Sequence, residues 1–333
     1  METTFISSLP SRVICLGEIL YDCLANQFGQ SLDRVQSWTN YPGGAPANTA
    51  CALVKLGIPT AFIGCLAQDS LGDSLLKLLD NKGVNTQGIQ RTVQFPTRQV
   101  YVLRSSTGDR SFAGFGGQSP DAFADAYLRS EHLLKKLFSD AEYLVIGTLE
   151  LAYPHSRQAV FRALELADKY YLRIVLDVNH REKFWLDSAE AKPLIQKLWQ
   201  YVDFLKLAQE EAQWLFNTDD AGAIYDLLGS VEGVVVTDGA AEVSYCISEQ
   251  EGKVKPFSLP VKDTTGAGDA FLAGLIYQLC QRKLSNLTNP GVLQEIITYA
   301  CAVGGLTTTK EGAISAQPTT EEVTAFLKKA LSC

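Results

Sequence analysis

Short runs of β-branched and apolar residues alternate along the chain with stretches whose apolar positions recur at helical spacing. RVICLG (12–17) is followed by PANTACALVKLG (46–57), TAFIGCL (60–66) by SLGDSLLKLLDNKG (70–83), AEYLVIG (141–147) by HSRQAVFRALELADKY (155–170), and RIVLDVN (173–179) by a long stretch of helical pattern. Strands that carry apolar residues at nearly every position need cover on both faces, and the intervening helices supply it. The pattern predicts an α/β fold with three layers, α/β/α, and a mainly parallel central sheet. TTEEVTAFLKKA at 319–330 predicts a terminal amphipathic helix, with Thr319 or Thr320 as cap and acids in its first turn.

Two segments break the rhythm. Residues 19–41 and 92–118 read as extended, polar-alternating strands with turns at Gly29 and at the STGD corner, 106–109. They leave the core near likely strand ends, so they predict a small antiparallel sheet that lies over a site as a lid. The expected organisation is one domain over 1–333 with this lid as its appendage.

Composition narrows the function classes. The chain has 333 residues, 46% of them hydrophobic, which is enough for one large core. A net charge of −8 argues against a surface that follows nucleic-acid phosphates or an anionic membrane. It does not exclude a nucleotide, because backbone amides and a metal ion can supply a local positive field. The eight cysteines (15, 23, 51, 65, 246, 280, 301 and 333) form no CxxC pair and accompany no histidine cluster, so they read as small hydrophobes in a reducing compartment. METTFISSLPSR lacks the cationic start and apolar run of a leader, and no apolar stretch is long enough to cross a membrane; the expected location is the cytoplasm.

The segment that carries chemistry is DTTGAGDAF, 263–271, which runs on into LAGLIYQLC. Its small residues permit a sharp turn, and the apolar periodicity beyond them starts a helix. The N–H groups of Ala267, Gly268 and Asp269 would then face outward from a helix N-terminus, an arrangement that binds phosphate oxygens. A carboxylate at that place repels a phosphate unless it has work to do. Accepting the proton of an attacking hydroxyl while the amides steady the transferring phosphoryl group is such work, which makes Asp269 a general base. An acid that merely complements the helix dipole would explain Asp269 but leave Gly266 and Gly268 unaccounted for.

DTTGAGDAF resembles the C-terminal signature of the ribokinase-like (PfkB) carbohydrate kinases, and the resemblance extends through GEILYD (17–22), YPGGAPANTA (41–50), QDSLGD (68–73), DVNHREKFW (177–185), KLAQEEA (206–212) and VTDG (236–239). PGGAPAN is most similar to the fructokinases. The resemblance implies an ATP-dependent kinase that transfers the γ-phosphate to a sugar or polyol hydroxyl, with Asp269 as base and Gly266, Ala267 and Gly268 as the anion turn. It also implies substrate contacts from Asp22, Gly43, Gly44, Asn48 and the lid residue Arg110, and proximity of Asn179 and Arg181 to the reacting groups. Thr237, Gly239 and Gly268 would line ATP, Glu211 would reach Mg2+ through water, and Asp263 would belong to a loop able to hold K+. Lid strands in this family often pair across a homodimer.

The chain also departs from the family pattern. Ala208 replaces the Asn of the NxxE motif, Glu242 replaces a glycine, and Cys301 stands where many members have Asn. The lid sequence GDRSFAGFGGQSP lacks the tyrosine-arginine-proline run of fructokinase lids, and its GFGGQ is similar to nucleoside-kinase members. A nucleoside or other polyol kinase, and a catalytically silent kinase-fold regulator, therefore stand as alternatives.

Overall fold

A computed structural model describes residues 10–106 and 110–332. Most of the N-terminal segment read above, the end of the corner at 106–109 and Cys333 lie outside the described residues.

The central sheet has nine strands. In chain order they are β1 (Val13–Leu16), β4 (Thr60–Ala67), β5 (Asn85–Thr92), β8 (Tyr143–Ile146), β9 (Arg173–Asp177), β10 (Phe204–Ala208), β11 (Gly233–Thr237), β12 (Val243–Ile247) and β13 (Gln250–Val254). Their spatial order is β13-β12-β11-β10-β9-β8-β1-β4-β5, with the β11–β12 and β12–β13 pairs antiparallel and the other pairs parallel. This is the ribokinase-like α/β architecture. All eight residues of β4 are buried, as its unbroken apolar run requires. Its large apolar side chains, Phe62, Ile63 and Leu66, each contribute about 1.5–3 kcal/mol when fully removed from water.

The described helices are α1 (Ala45–Lys55), α2 (Ser70–Lys82), α3 (Lys135–Asp140), α4 (Pro154–Tyr170), α5 (Ala191–Gln196), α6 (Gln209–Phe216), α7 (Ala221–Leu228), α8 (Ala267–Cys280), α9 (Pro290–Thr307) and α10 (Thr320–Ala330). Thr319 caps α10 by accepting from the Glu322 N–H at 3.2 Å, while the Glu322 side chain accepts from the Thr319 N–H at 2.8 Å. The stretch after β9 differs from its helical pattern: it forms three short 3-10 turns and the six-residue α5, Ala191–Gln196. Pro193 is the cause, since it has no N–H to continue a ladder and is tolerated only near a helix start.

A second sheet of four strands, β3 (Trp38–Gly43), β2 (Leu20–Phe28), β6 (Gln99–Arg104) and β7 (Arg110–Gly114), lies in that order. Its outer pairs are antiparallel, but β2 and β6 run parallel, a difference from the all-antiparallel expectation. Residues 29–98, which carry β3, α1, β4, α2 and β5, separate the two strands, so β6 is free to enter the second sheet in the same direction as β2. Arg98, at the root of β6, is 1% exposed; its guanidinium pairs with Asp125 at 2.5 and 2.9 Å and lies 4.7 Å from the Phe123 ring centre and 5.1 Å from that of Tyr153. Removing either partner would strand a buried charge.

Candidate active site

The carboxyl ends of β1, β8 and β9 meet at one cleft, where ligands of open α/β sheets bind, and β10 and β11 run parallel beside them. Glu18 and Thr148 line it, as do Asp177 and Asn179, together with Pro46 and Thr49 of α1.

The anion turn is built from a backbone that only glycine adopts comfortably. Gly266, the N-cap of α8, has φ 77°, and a Cβ there would fall 2.7 Å from the Cβ of Ala313. Of the three amides expected to face outward, the structure keeps two. The Ala267 N–H donates to the Thr264 carbonyl at 3.2 Å, whereas among the described residues the Gly268 and Asp269 N–H groups have no partner. The correction follows from the tightness of the turn, which folds Thr264 back onto the first helical residue. A Cβ on Gly268 would stand 3.3 Å from Nζ of Lys206, so a buried ammonium lies beside the turn.

Asp269 occupies the first turn of α8. Its Oδ2 accepts from Nδ2 of Asn48 at 2.8 Å, and its carbonyl oxygen accepts from the Thr49 hydroxyl at 3.4 Å. Burial pushes the carboxyl up to about 6; Asp177 adds to the rise, and Asn48, Lys206 and Arg181 oppose it. Asn48 is 4% exposed, and its Oδ1 has no partner, which leaves one buried acceptor beside the acid. Helix α1 is placed by its own start: Gly44 is the N-cap at φ 109°, a Cβ there would meet the Glu18 carbonyl at 2.5 Å, and the Ala45 N–H donates to Glu18 Oε1 at 2.9 Å. Burial pushes the Glu18 carboxyl up to about 7.

Asp22 enters from β2. A Cβ on Gly43 would approach its Oδ2 to 2.9 Å, which is why a residue without a side chain stands there. Burial pushes the Asp22 carboxyl up to about 6 against the pull of Arg110 and Arg181. Arg181 thus acts electrostatically on both Asp22 and Asp269. Asn179 holds φ 37°, in the left-handed region that Asn tolerates better than most residues. Arg110 reaches from β7 to the anion turn, where its NH1 donates to Thr265 Oγ1 at 2.5 Å and its NH2 lies 3.2 Å from Asp263 Oδ1.

On the other side of the cleft, Thr237 ends β11, paired in register with Ala208 of β10, and donates its hydroxyl to the Leu207 carbonyl at 3.2 Å. Gly239 follows at φ 49° with open space where a Cβ would stand. Ala208 is the N-cap of α6 and has no side chain with which to cap; Glu211 compensates from N3 by accepting from the Ala208 N–H at 2.8 Å and the His180 N–H at 2.6 Å. Burial raises the Glu211 pKa, Asp177 raises it further and Lys206 opposes both. His180 stacks on Trp214, with ring centres 4.4 Å apart, so its side chain packs while its backbone positions Glu211. Cys301 is buried in the core, where burial pushes its thiol up to about 12, and Glu242 is exposed.

Sequence reasoning missed the Asp177–Lys206 pair. These residues are register partners on β9 and β10, 2.9 Å apart, and Asp177 Oδ2 is buried without a partner. Burial disfavours the ammonium of Lys206, but Asp177, Glu211 and Asp269 around it hold its pKa above the usual value. A signal was present: a lysine in the middle of FLKLA is out of place in a strand buried on both faces.

Cation sites can be tested on these residues. Each Glu211 oxygen accepts one hydrogen bond and Asp177 Oδ2 accepts none, yet no cluster of three or more His, Cys, Asp or Glu among the described residues could hold a metal directly. The set fits a hydrated divalent ion shared with nucleotide phosphates, and not a dedicated cage. Asp263 does not fit a monovalent cation. Its Oδ1 accepts from the Thr265 N–H at 3.0 Å and the Thr265 hydroxyl at 2.6 Å in addition to facing Arg110, and its Oδ2 accepts from the Gly312 N–H at 3.0 Å.

A turn with two free amides, a buried ammonium beside it, a hydrogen-bonded acid and a second sheet bearing Asp22 come together here in a ribokinase-like fold. The family model for pfkB family carbohydrate kinases matches residues 10–320, and the chain belongs to that family. It is 33% identical over 319 residues to probable fructokinase-3 of Arabidopsis thaliana, covering 95% of this chain and 91% of that protein. It is 31% identical over 325 residues to fructokinase-2 of Solanum lycopersicum, covering 97% and 98%. Among solved structures, the fructokinase of Xylella fastidiosa with bound ATP superposes with a TM-score of 0.87 at 29% identity over 97% of this chain and 100% of that one. A double mutant of Vibrio cholerae O395 fructokinase in its fructose, ADP and potassium ion bound form gives 0.82 at 27% identity over 96% and 99%. The chain is a sugar kinase, and no described helix is long and apolar enough to cross a membrane.

Proposed function

We propose that the chain transfers the γ-phosphoryl group of ATP to a hydroxyl of fructose, and that Asp269 removes the proton of that hydroxyl. The observation that carries this reading is the Asp269 carboxyl itself: it adjoins two free helix-terminal amides, is oriented by Asn48, and has a pKa pushed up to about 6. That value lies close enough to neutrality for an efficient base and still leaves the group ionised at pH 7. In this reading Gly266 shapes the turn and the Gly268 and Asp269 amides, with Lys206 beside the turn, stabilise charge on the phosphoryl oxygens. Asp22, Asn48 Oδ1 and the backbone at Gly43 and Gly44 orient the sugar, with Asn179 and Arg181 alongside. Thr237 and Gly239 line the nucleotide. Glu211 would hold Mg2+ through water, and Mg2+ when bound neutralises charge on the β- and γ-phosphates.

The four-stranded sheet acts in this proposal as the lid over the acceptor, within a single kinase unit. The exposure of Phe28 on β2 and Tyr41 on β3, 50% and 38%, suits pairing of two lids in a homodimer. The seven described cysteines, all free and buried, suit a cytoplasmic location.

A second reading has one specific observation in its favour. Phe112 sits two residues beyond Arg110 on β7, hence on the same strand face, and its ring centre lies 5.2 Å from Phe115 and 6.1 Å from Phe184. An aromatic wall of this kind suits the flat face of a nucleoside base. The test is an ATP-consumption assay across fructose, other hexoses, deoxy-keto sugar acids, inositol and adenosine. The proposal expects the highest kcat/KM with fructose; a preference for adenosine would replace it with the second reading.

A further inference from the structure

The contact between Arg110 and the Asp263 turn joins elements 155 residues apart and involves no ligand. The guanidinium donates to Thr265 Oγ1, and that hydroxyl in turn donates to Asp263 Oδ1, so Arg110, Thr265 and Asp263 form a directional relay that ends on the carboxylate. The Asp263 side chain is 9% exposed and that of Arg110 44%, which places the pair at the seam between the second sheet and the anion turn. Gly312 completes the ring of donors from the segment that follows α9.

These contacts set a requirement. The acid at 263 fixes the turn that leads through Thr264 and Thr265 to Gly266, and the turn aims the Gly268 and Asp269 amides. A carboxylate so nearly buried is held ionised by its hydrogen bonds from Thr265 and Gly312, and a positive partner adds to their effect. A monovalent cation supplies one when several oxygens converge on it, but here the groups around Asp263 are N–H, O–H and guanidinium donors, and a cation on Oδ1 would share that oxygen with Arg110.

We propose that Arg110 is a built-in counter-cation for the Asp263 turn, so that descent of β7, and not a bound monovalent ion, sets the anion-binding geometry. The proposal rests on the kinase reading of that turn. It makes Arg110 a positioning residue that acts through Thr265 and Asp263, and it makes phosphate binding conditional on a closed second sheet. The chain would then differ from the Vibrio cholerae fructokinase whose structure carries a potassium ion.

The test compares wild type, Arg110→Ala and Arg110→Lys in potassium chloride and in tetramethylammonium chloride at equal ionic strength. Two quantities are read: the melting temperature without nucleotide, and the kcat and KM for ATP with the best acceptor. Wild type should be insensitive to the choice of cation, within about twofold in rate, and Arg110→Ala should gain at least about tenfold in kcat/KM, or a potassium-specific rise in melting temperature, when potassium is supplied. Arg110→Lys, which keeps the charge but loses the fork, should respond less than Arg110→Ala. Wild type that needs potassium for turnover overturns the proposal, and so does an Arg110→Ala protein no more responsive to potassium than wild type in both readouts. Absence of ATP turnover with every acceptor in either salt would instead strike the kinase reading itself.

Discussion

The side-chain amide of Asn48 donates to Oδ2 of Asp269 at 2.8 Å, joining the first turn of α1 to the first turn of α8 across 221 residues of sequence. Asn48 holds the Asp269 carboxyl in one orientation and favours its ionised form, and in the proposed mechanism it is also a sugar contact and Asp269 the base. Its free Oδ1 remains available to the acceptor. One residue therefore aligns both the group that loses the proton and the group that takes it.

Replacing the base should separate chemistry from folding. Asp269→Asn keeps the shape and can still accept from Asn48, so kcat should fall by roughly 10^2–10^4 with little change in the secondary structure seen by circular dichroism. Because the folded pKa is raised to about 6 from 3.8, the native acid adds stability that is fully present below pH 4 and lost as pH rises through 6. The Asn variant loses nothing over that window, so its melting temperature should match or exceed that of wild type at pH 7 and above. Near-normal turnover would dismiss Asp269 as the base.

The pH profile offers a second check. The acidic limb of kcat/KM should lie near pH 6, and because Asp22 and Asp269 are both raised to about 6, it should be steeper than one proton. Asp22→Asn should reduce it to a single ionisation. Asn48→Ala removes a donor that lowers the Asp269 pKa, and should move the remaining limb to higher pH; a limb that stays in place would mean another group is being titrated.

Lys206 and Asp177 should behave as a coupled pair. Lys206→Met strands Asp177 in the interior and should cost about 3–5 kcal/mol in urea denaturation, while Lys206→Met with Asp177→Asn should recover most of that loss. Simple additivity of the two substitutions would show that the pair is not interacting.

Ala208 offers a gain of stability. It caps α6 with extended backbone but no side-chain acceptor, and Ala208→Asn should add about 1 kcal/mol, visible as a higher urea midpoint with an unchanged slope. No gain would mean that an Asn side chain at this position does not reach the Glu210 or Glu211 N–H at the helix start.

Particular residues mark where legibility ended. The parallel strands could be read from runs such as TAFIGCL because burial on both faces forces continuous apolar sequence. The anion turn could be read from GAGD because a positive-φ residue at a helix start leaves a local glycine signature. Helix α5 was misjudged because helical periodicity carries no penalty for Pro193, whereas the backbone does. The parallel pairing of β2 with β6 was hidden because strand direction depends on the path of the intervening core.

The sequence alone determined the α/β class, the glycine turn that starts α8 and the family resemblance, since each is written in residues close together in the chain. Tertiary structure decided which donors meet Asp269, that Lys206 lies beside the turn, that the Ala267 amide is already engaged and that Arg110 faces Asp263. Those are distances between groups brought together by long-range packing, and a carboxylate's charge state is set by such neighbours and by burial, neither of which a linear pattern records.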